Sequence, residues 1–266
     1  MRIAVVGAGI SGLACALRLG QAGHAVRVYE RAPTVGGRMA TVEADGFHVD
    51  VGTSVLLDNY ERTKALCREL GMETEWVPFS AGAGGILREG RLSGYAPETV
   101  ADIARYPGLS PSARARVLRW LLRALPRRTA NDFFDLTVGD DALDTVDAYT
   151  ATVETCGQEV ADWLVDPFVR AFHFHSARRV SMKYFDALAT LFLTKEGFVH
   201  RGFRGYMQAL PRALAARVPV ERAEVRRVEP DGNGVRVDLG GRSERFDGVV
   251  LAVPAHVALG ILAAPT

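Results

Sequence analysis

The sequence predicts an α/β protein in which parallel-sheet material near both ends encloses a mixed insertion. Two observations support this class. The N-terminal stretch IAVVGAGISGLACALRLGQAGHAVRVYE (3–30) has the pattern of a strand, a glycine-rich turn, a helix and a second strand. Near the other end, VVLAV (249–253) is a fully apolar run, which is typical of a strand buried on both faces of a parallel sheet.

Local patterns justify each element of the N-terminal stretch. A short apolar strand covers residues 3–6 and ends in the glycine turn. Apolar residues then recur at helical spacing from residue 10 to about residue 21, where Ala22-Gly23 ends the helix. A second strand covers 26–29. This βαβ unit is the opening of a Rossmann-like fold.

Weaker patterns predict the elements that follow. Ser110 is a suitable N-cap for a helix whose first residue is Pro111. Asp231-Gly232 and Asn233-Gly234 are typical of a hairpin turn. The predicted elements are an extended segment at 47–51, a helix at 61–70, a Gly-rich hairpin at about 80–95, a helix at 111–125, helices and loops over 140–200, a helix at 205–217, and strands within 220–228, 235–239, 245–247 and 249–253.

Composition places the chain among ordinary globular proteins. The 266 residues are 48% hydrophobic and 24% charged, and the net charge of +1 gives no indication of nucleic-acid binding. Cys15, Cys67 and Cys156 are odd in number and widely spaced, which predicts reduced thiols rather than disulfides or a metal site. Neither a signal peptide nor an apolar run of the ~20 residues that cross a bilayer is present, so we expect a cytoplasmic protein.

The glycine turn predicts a dinucleotide site. Gly7 permits a tight turn, Gly9 allows the backbone to approach a pyrophosphate, and Gly12 allows the helix to pack closely on the strand. Glu30 ends the second strand, where an acidic side chain binds ribose hydroxyl groups and disfavours the 2′-phosphate of NADP. Because the helix N-terminus also offers N–H groups to the phosphates, the predicted pyrophosphate-binding residues are Gly7, Ala8, Gly9, Ile10, Ser11 and Gly12.

A second glycine-rich turn, Gly36-Gly37-Arg38, follows Glu30. The paired glycines allow a close backbone approach, and the guanidinium of Arg38 offers a fork of donors to phosphate oxygens. Arg31 is expected to lie against the adenosine. Asp50-Val51-Gly52-Thr53 then closes an extended run.

These motifs, in this order, resemble the flavin-dependent amine oxidase, protoporphyrinogen oxidase and phytoene desaturase superfamily. The resemblance implies FAD as the cofactor and a Rossmann-like FAD-binding domain of the GR2 type, with an inserted mixed α+β substrate domain. It implies that Arg38 lies near the pyrophosphate and the flavin. It also implies that the backbone of Val225 meets the adenine, and that the isoalloxazine ring lies along the backbone of Gly52, Thr53, Ser54 and Val55.

The resemblance continues in three later segments, GFRGYMQALPRALAAR (202–217), VERAEVRRVEPDGNGVRV (220–237) and VVLAVPAH (249–256). It implies a discontinuous FAD-binding domain, residues 1–75 and 206–266, and a substrate or cap domain at 76–205. Members of the superfamily usually continue past the position that matches Pro254, with a segment that holds the ribityl chain and the reactive edge of the flavin. Three explanations stay open: a fragment, one subunit of a split enzyme completed by a second polypeptide, or a chain without redox function.

The run Phe172-His173-Phe174-His175-Ser176 is the most site-like part of the insertion. Histidines at i and i+2 share a face only in a strand. The alternatives are substrate-facing pocket residues, metal ligands without identifiable companions, and polar residues at a packed loop. Arg170 is a candidate partner for a substrate carboxylate.

The helix at 111–125 carries arginines on one side and apolar residues on the other. Such a helix can lie on a membrane surface, or it can be an ordinary helix with an exposed basic face. Weak membrane-surface association is therefore one expectation. A short chain that leaves apolar surface uncovered would also favour an oligomer.

These observations predict an FAD-dependent oxidoreductase that removes a hydride from a C–N or C–C unit of a small, fairly apolar substrate. No second dinucleotide motif is present, which favours an oxidase or a desaturase over a pyridine-nucleotide reductase. No catalytic residue is assigned, because hydride transfer to a flavin needs no protein acid or base. The alternatives are a non-catalytic or regulatory flavoprotein subunit of a split enzyme, and a flavin-dependent isomerase without net redox chemistry.

Overall fold

The computed structural model describes residues 1–78, 85–88, 90–94, 99–126, 133–191 and 199–263. The chain divides into two compact units. The first comprises Met1–Leu56, Tyr60–Phe79 and Arg201–Thr266, and the second comprises Leu57–Asn59 and Ser80–His200. The assignment of an FAD-binding and a substrate role to two such domains stays a prediction.

Most strands lie before residue 95 and after residue 199, and the described residues between 100 and 190 form mainly helices. The strands are β1 (Arg2–Val6), β2 (Ala25–Glu30), β3 (Thr41–Ala44), β4 (Phe47–Asp50), β5 (Leu56–Leu57), β6 (Trp76–Pro78), β7 (Gly85–Arg88), β8 (Arg91–Gly94), β9 (His200–Phe203), β10 (Val220–Arg222), β11 (Arg227–Asp231), β12 (Gly234–Asp238), β13 (Ser243–Phe246) and β14 (Gly248–Leu251). The helices are α1 (Ile10–Gln21), α2 (Glu61–Glu69), α3 (Val100–Arg105), α4 (Pro111–Ala124), α5 (Ala148–Cys156), α6 (Gln158–Val160), α7 (Asp166–His173), α8 (Met182–Thr190), α9 (Ala209–Ala215) and α10 (Ala255–Ile261).

A parallel sheet forms the centre of the first unit. Its described strands have the order β10–β2–β1–β14. Ile3 pairs with Val26 on one side and with Gly248 on the other, so β1 is a central strand. The parallel sheet and its helices confirm the predicted α/β, Rossmann-like class.

Both faces of this sheet are buried, which explains the apolar runs in β1 and β2. Val5 and Val28 lie in a core on the side of α1 and α9. Ala4 and Tyr29 lie in a second core on the side of the antiparallel sheet β11–β12–β13. Because side chains alternate along a strand, neighbouring residues of β1 contribute to opposite cores.

In the hairpin of β3 and β4, the polar face packs against other residues of the first unit. Thr41 donates to Asp50 at 2.6 Å, and the ring of His48 stacks on Tyr206 with centroids 4.3 Å apart. The opposite face carries Val42 and Phe47, which are 45% and 71% exposed. The orientation is the reverse of the usual arrangement in antiparallel sheets, where the apolar face is buried.

Several predicted elements agree closely with the structure. The helix at 10–21 has the predicted bounds, and the side chain of Ser110 accepts from the amide of Ala113 as an N-cap. Antiparallel β7 and β8 match the predicted Gly-rich hairpin; residues 80–84, 89 and 95 of that prediction lie outside the described residues.

Two predictions needed correction. The helix predicted at 205–217 is α9, which begins only at Ala209, because Tyr206 adopts a left-handed φ of 64° in the turn before it. The run at 220–228 is two strands rather than one. Its first part, β10, pairs with β2 in the parallel sheet, and its second part, β11, pairs with β12 in the antiparallel sheet.

Candidate cofactor-binding site

The carboxyl ends of β1, β2 and β14 meet at one edge of the parallel sheet. The amide of Gly7 donates to the carbonyl of Tyr29 at 2.8 Å, and the amide of Ala252 donates to the carbonyl of Val6 at 2.8 Å. A groove of about 800 Å³ opens at this edge, within the first unit. Ligands of open α/β sheets bind at the carboxyl ends of the strands, so this groove is the candidate site.

Gly7 and Gly12 let the helix approach the sheet. Gly7 has a φ of +102°, which residues with a side chain rarely adopt. A Cβ at position 12 would overlap the carbonyl oxygen of Gly7. These two glycines therefore shape the turn by close packing within the protein.

Gly9 has a different role, because a Cβ at this position would have no protein atom within 4 Å. Its φ of −70° and ψ of 172° are open to any residue. Gly9 is the N-cap of α1, and no side chain caps this end of the helix. The first N–H groups of a helix have no intrahelical partner, so those of Ile10 and Ser11 remain as donors beside the groove.

Glu30 links the two strand ends through its carboxylate. One oxygen accepts from the amide of Ala8 and the other from the amide of Ala32, each at 2.8 Å. A carboxylate has about four lone-pair positions. The side chain is thus held in place and keeps acceptor capacity for hydroxyl groups in the groove.

The second glycine-rich turn touches the first. The amide of Gly36 donates to the carbonyl of Ala8 at 2.9 Å, and a Cβ at Gly37 would lie 3.3 Å from the Cα of Gly9. Gly36 and Gly37 have φ values of +115° and +55°. The two turns therefore pack against each other through backbone atoms, and the positive φ values favour glycine at both positions of the second turn.

The loop after β4 packs beneath Arg38. The carbonyl of Arg38 accepts from the amide of Thr53 at 2.8 Å, and a Cβ at Gly52 would overlap the same carbonyl oxygen. The conformation of the Gly-Gly-Arg turn therefore depends on a glycine fourteen positions later.

Most of the predicted cofactor residues border the groove. Those that line it are Gly7, Gly9, Ile10, Ser11, Glu30, Arg31, Gly36, Gly37, Arg38, Thr53 and Val225. Those that do not line it are Ala8, Gly12, Gly52, Ser54 and Val55. Ala8 is fully buried, and Gly12 and Gly52 act through close packing, so these residues support the site from behind. The direct cofactor contact of each residue stays a prediction.

The groove also includes residues that the sequence analysis did not predict to bind the cofactor. Tyr60 and Thr63 come from the start of α2, Glu224 follows β10, and Pro254 and His256 follow β14. The apolar run before Pro254 was the available signal, because the end of any parallel strand next to β1 must reach the same edge of the sheet.

The donor and acceptor pattern of the groove fits the adenosine and pyrophosphate part of FAD. Backbone N–H groups at the start of α1 and the guanidinium of Arg38 suit phosphate oxygens. The carboxylate of Glu30 suits ribose hydroxyls. The open space at Gly9 admits a ligand against the backbone.

The family profile described as flavin containing amine oxidoreductase matches residues 10–265. The chain belongs to the flavin-containing amine oxidoreductases. This membership confirms the predicted family and its flavin cofactor. It also accounts for the fit of the groove to FAD.

Related proteins cover several branches of this family. A probable zeta-carotene desaturase of Synechococcus elongatus is 43% identical over 79 residues, which are 29% of this chain and 16% of that protein. Protoporphyrinogen oxidase 2 of Arabidopsis thaliana, chloroplastic/mitochondrial, is 29% identical over 184 residues, 69% of this chain and 34% of that protein. A redesigned putrescine oxidase has a similar fold, with a TM-score of 0.79 at 22% identity over 100% of this chain and 61% of that one. The chain thus spans about one sixth to three fifths of these relatives.

In the second unit, His173 and His175 lie side by side without forming part of a strand. His173 ends α7, Phe174 has a left-handed φ of 57°, and the two imidazole rings stack with centroids 5.9 Å apart. The expectation that only a strand brings residues i and i+2 together is therefore wrong here. The hydroxyl of Tyr184 lies 3.2 Å from Nε2 of His173. Burial lowers the pKa of His173, and the charge of His175 lowers it further.

Arg170 is held by Asp166, one helical turn earlier. Its Nε donates to Asp166 at 2.6 Å. Burial raises the pKa of Asp166, but hydrogen bonds from Arg170, Ser176 and the amide of Ala177 outweigh burial and hold the pKa below its usual value. The predicted substrate contacts of Arg170, His173 and His175 stay predictions.

The described residues contain no helix that is long and apolar enough to span a membrane. Nor does any group of three or more His, Cys, Asp or Glu side chains in the described ranges have the arrangement of a metal site. Cys67 and Cys156 are buried free thiols, and Cys15 is half-buried.

Proposed function

We propose that the groove of the first unit holds the adenosine and pyrophosphate of FAD in an oxidase- or desaturase-type enzyme. The enzyme would remove a hydride from a C–N or C–C unit of a small, fairly apolar molecule. The observation that carries this proposal is the contact between the two glycine turns beside Glu30. This contact brings the open backbone at Gly9 next to the turn that carries Arg38, so that both can meet the same pyrophosphate.

In this proposal, each group of the groove has one task. The N–H groups of Ile10 and Ser11 and the guanidinium of Arg38 bind the pyrophosphate. Glu30 binds the ribose hydroxyls and orients the adenosine towards the backbone near Val225. Bound FAD supplies a hydride-accepting flavin ring.

The first experiment is a titration of the purified chain with FAD. We expect flavin fluorescence to change saturably with one FAD per chain, and we expect NADP to bind far more weakly because Glu30 repels a 2′-phosphate. A chain that binds no FAD at any concentration tested would contradict the cofactor proposal.

The second experiment tests catalysis. Anaerobic mixing of the flavin-loaded protein with amines, porphyrinogens or polyenes should bleach the visible flavin absorption for the true substrate class. A yellow protein that no substrate bleaches would contradict an oxidase or desaturase. That result would favour the alternative of a non-catalytic subunit, while conversion without net bleaching would favour an isomerase.

A second polypeptide that completes the flavin site stays a prediction, as do oligomer formation and weak binding to a membrane surface. Co-expression with a candidate partner tests the first of these. The prediction requires that FAD affinity rises when the partner is present. Equal affinity with and without the partner would count against it.

A further inference from the structure

A second cleft, of about 320 Å³, lies in the second unit. It shares no lining residue with the groove of the first unit. We call it the arginine cleft, because Arg116, Arg119 and Arg123 of α4 line it. The facing walls come from α5 and α8. Its volume lies at the lower end of the ~300–1,000 Å³ that small-molecule sites occupy.

The sequence of α4 directs these arginines to one side of the helix. Positions i, i+3 and i+7 share a face of an α-helix. The residues that α4 buries are Ala113, Val117, Leu121 and Ala124, which lie on a different face. The three guanidinium groups are therefore gathered at the cleft, where they raise the local positive potential.

Among the described residues, the three guanidinium groups of the cleft differ in their partners. Arg116 donates from Nε to the carbonyl of Cys156 at 2.5 Å. The pKa of Glu159 is lowered mainly by the hydrogen bond from Ser110, and the charge of Arg116 lowers it further. Arg119, in contrast, makes no hydrogen bond or ion pair with any residue that the structure describes.

The carboxylates of Asp140 and Asp186 also line the cleft, so that three guanidinium groups outnumber two carboxylates there. Asp140 accepts from the amide of Ala142 at 3.0 Å, and Asp186 is only 1% exposed. The donors of Arg119 are therefore open to an acceptor from outside the protein. A guanidinium forms its strongest hydrogen bonds with carboxylate and phosphate oxygens.

An apolar wall lies next to this donor. The indole of Trp120, one residue after Arg119, is half-buried and stacks on Phe185 with centroids 6.2 Å apart and planes 21° apart. Leu143 and Met182 continue the same wall. A ligand that fits both features has an anionic head and an apolar body.

We propose that the arginine cleft binds a small organic anion. Its carboxylate or phosphate head is held by the guanidinium of Arg119, in the positive potential of Arg116 and Arg123. Its apolar body lies against Trp120.

The test is calorimetric titration of the full chain with phenyl phosphate, in which two variants distinguish binding in the arginine cleft from binding in the groove of the first unit. Arg119→Gln removes the charge of an exposed side chain without disturbing the core, and Arg105→Gln removes an exposed charge from α3, outside the cleft. We expect one phenyl phosphate per chain, a dissociation constant raised roughly tenfold or more by Arg119→Gln, and no change with Arg105→Gln. Inorganic phosphate, which lacks the apolar body, is expected to bind more weakly.

Two results would overturn the proposal. The first is the absence of saturable binding, or equal binding by wild type and Arg119→Gln. The second is binding to phosphatidylserine vesicles that depends on Arg119 and that phenyl phosphate does not inhibit, because the arginines would then serve a lipid surface.

Discussion

Glu30 accepts a hydrogen bond from the backbone N–H of Ala8 at 2.8 Å, so the end of β2 is tied to the turn that follows β1. The other carboxylate oxygen holds the amide of Ala32, also at 2.8 Å. The residue expected to bind ribose therefore also fixes the shape of the glycine turn. In the proposed function, stability and cofactor binding are therefore linked at this one side chain.

Glu30→Gln is expected to weaken both properties. The amide group of glutamine would place an NH₂ against one of the two backbone donors, which costs about 1–3 kcal/mol in the free energy of unfolding. FAD affinity should fall as well, because ribose loses a charged acceptor. Urea unfolding and FAD titration measure the two effects. Glu43→Gln, at an exposed position of β3, is the control and should change neither. An unfolding curve of Glu30→Gln that matches wild type would contradict a stabilising role for the two hydrogen bonds that Glu30 accepts.

Gly12→Ala and Gly20→Ala form a matched pair within α1. A Cβ at position 12 overlaps the carbonyl of Gly7, whereas a Cβ at position 20 meets nothing within 4 Å. We expect Gly12→Ala to lower the denaturation midpoint strongly. Gly20→Ala should raise stability by roughly 0.5–1 kcal/mol, because alanine loses less backbone entropy in a helix. If both variants shift the midpoint in the same direction, the close-packing role of Gly12 is wrong.

Gly9→Ala should separate folding from binding. The added methyl group meets no protein atom within 4 Å and the backbone angles suit alanine, so stability should change by about 1 kcal/mol or less. The same methyl group points into open space beside the groove, and we expect at least a roughly tenfold loss of FAD affinity. Thermal unfolding of the free chain and FAD titration provide the two readouts. Normal FAD affinity in this variant would show that the pyrophosphate lies elsewhere.

Cys67 should make the protein less stable in alkali. Burial raises the pKa of its thiol from 9.0 to about 11, with a smaller effect from Glu73. A raised pKa in the folded state means that the full contribution to stability is present below about pH 9 and is lost as the pH rises towards 11. Free energies of unfolding measured at pH 8 and pH 10 should therefore fall less in Cys67→Ala than in wild type. Identical pH slopes would contradict this assignment, and other titrating groups cancel in the comparison.

The N-terminal βαβ unit could be predicted almost residue by residue, because its signals are local. The helix at 10–21 depends on apolar spacing and on the glycines at its start, both of which lie within the element itself. Glu30 was found in the same way, through its position at the end of a strand.

The predictions that needed correction concern segments whose conformation or strand pairing is determined by tertiary packing. Tyr206 adopts a left-handed conformation that its sequence does not announce, and its ring meets His48 of a distant hairpin. The run 220–228 divides because its two halves pair with different sheets. Likewise, Tyr60 at the start of α2 reaches the groove through the tertiary fold, which no local pattern contains.

The position of β1 in the sheet also sets the order in which the protein can assemble. Ile3 pairs with Val26 soon after both are made, but its other partner, Gly248, lies 245 residues further along the chain. At synthesis rates of roughly 5–20 residues per second, one edge of β1 waits about 10–50 s for β14. During that interval one edge of this apolar strand is unpaired, and such an edge is a site where chaperones or other chains would bind the nascent protein.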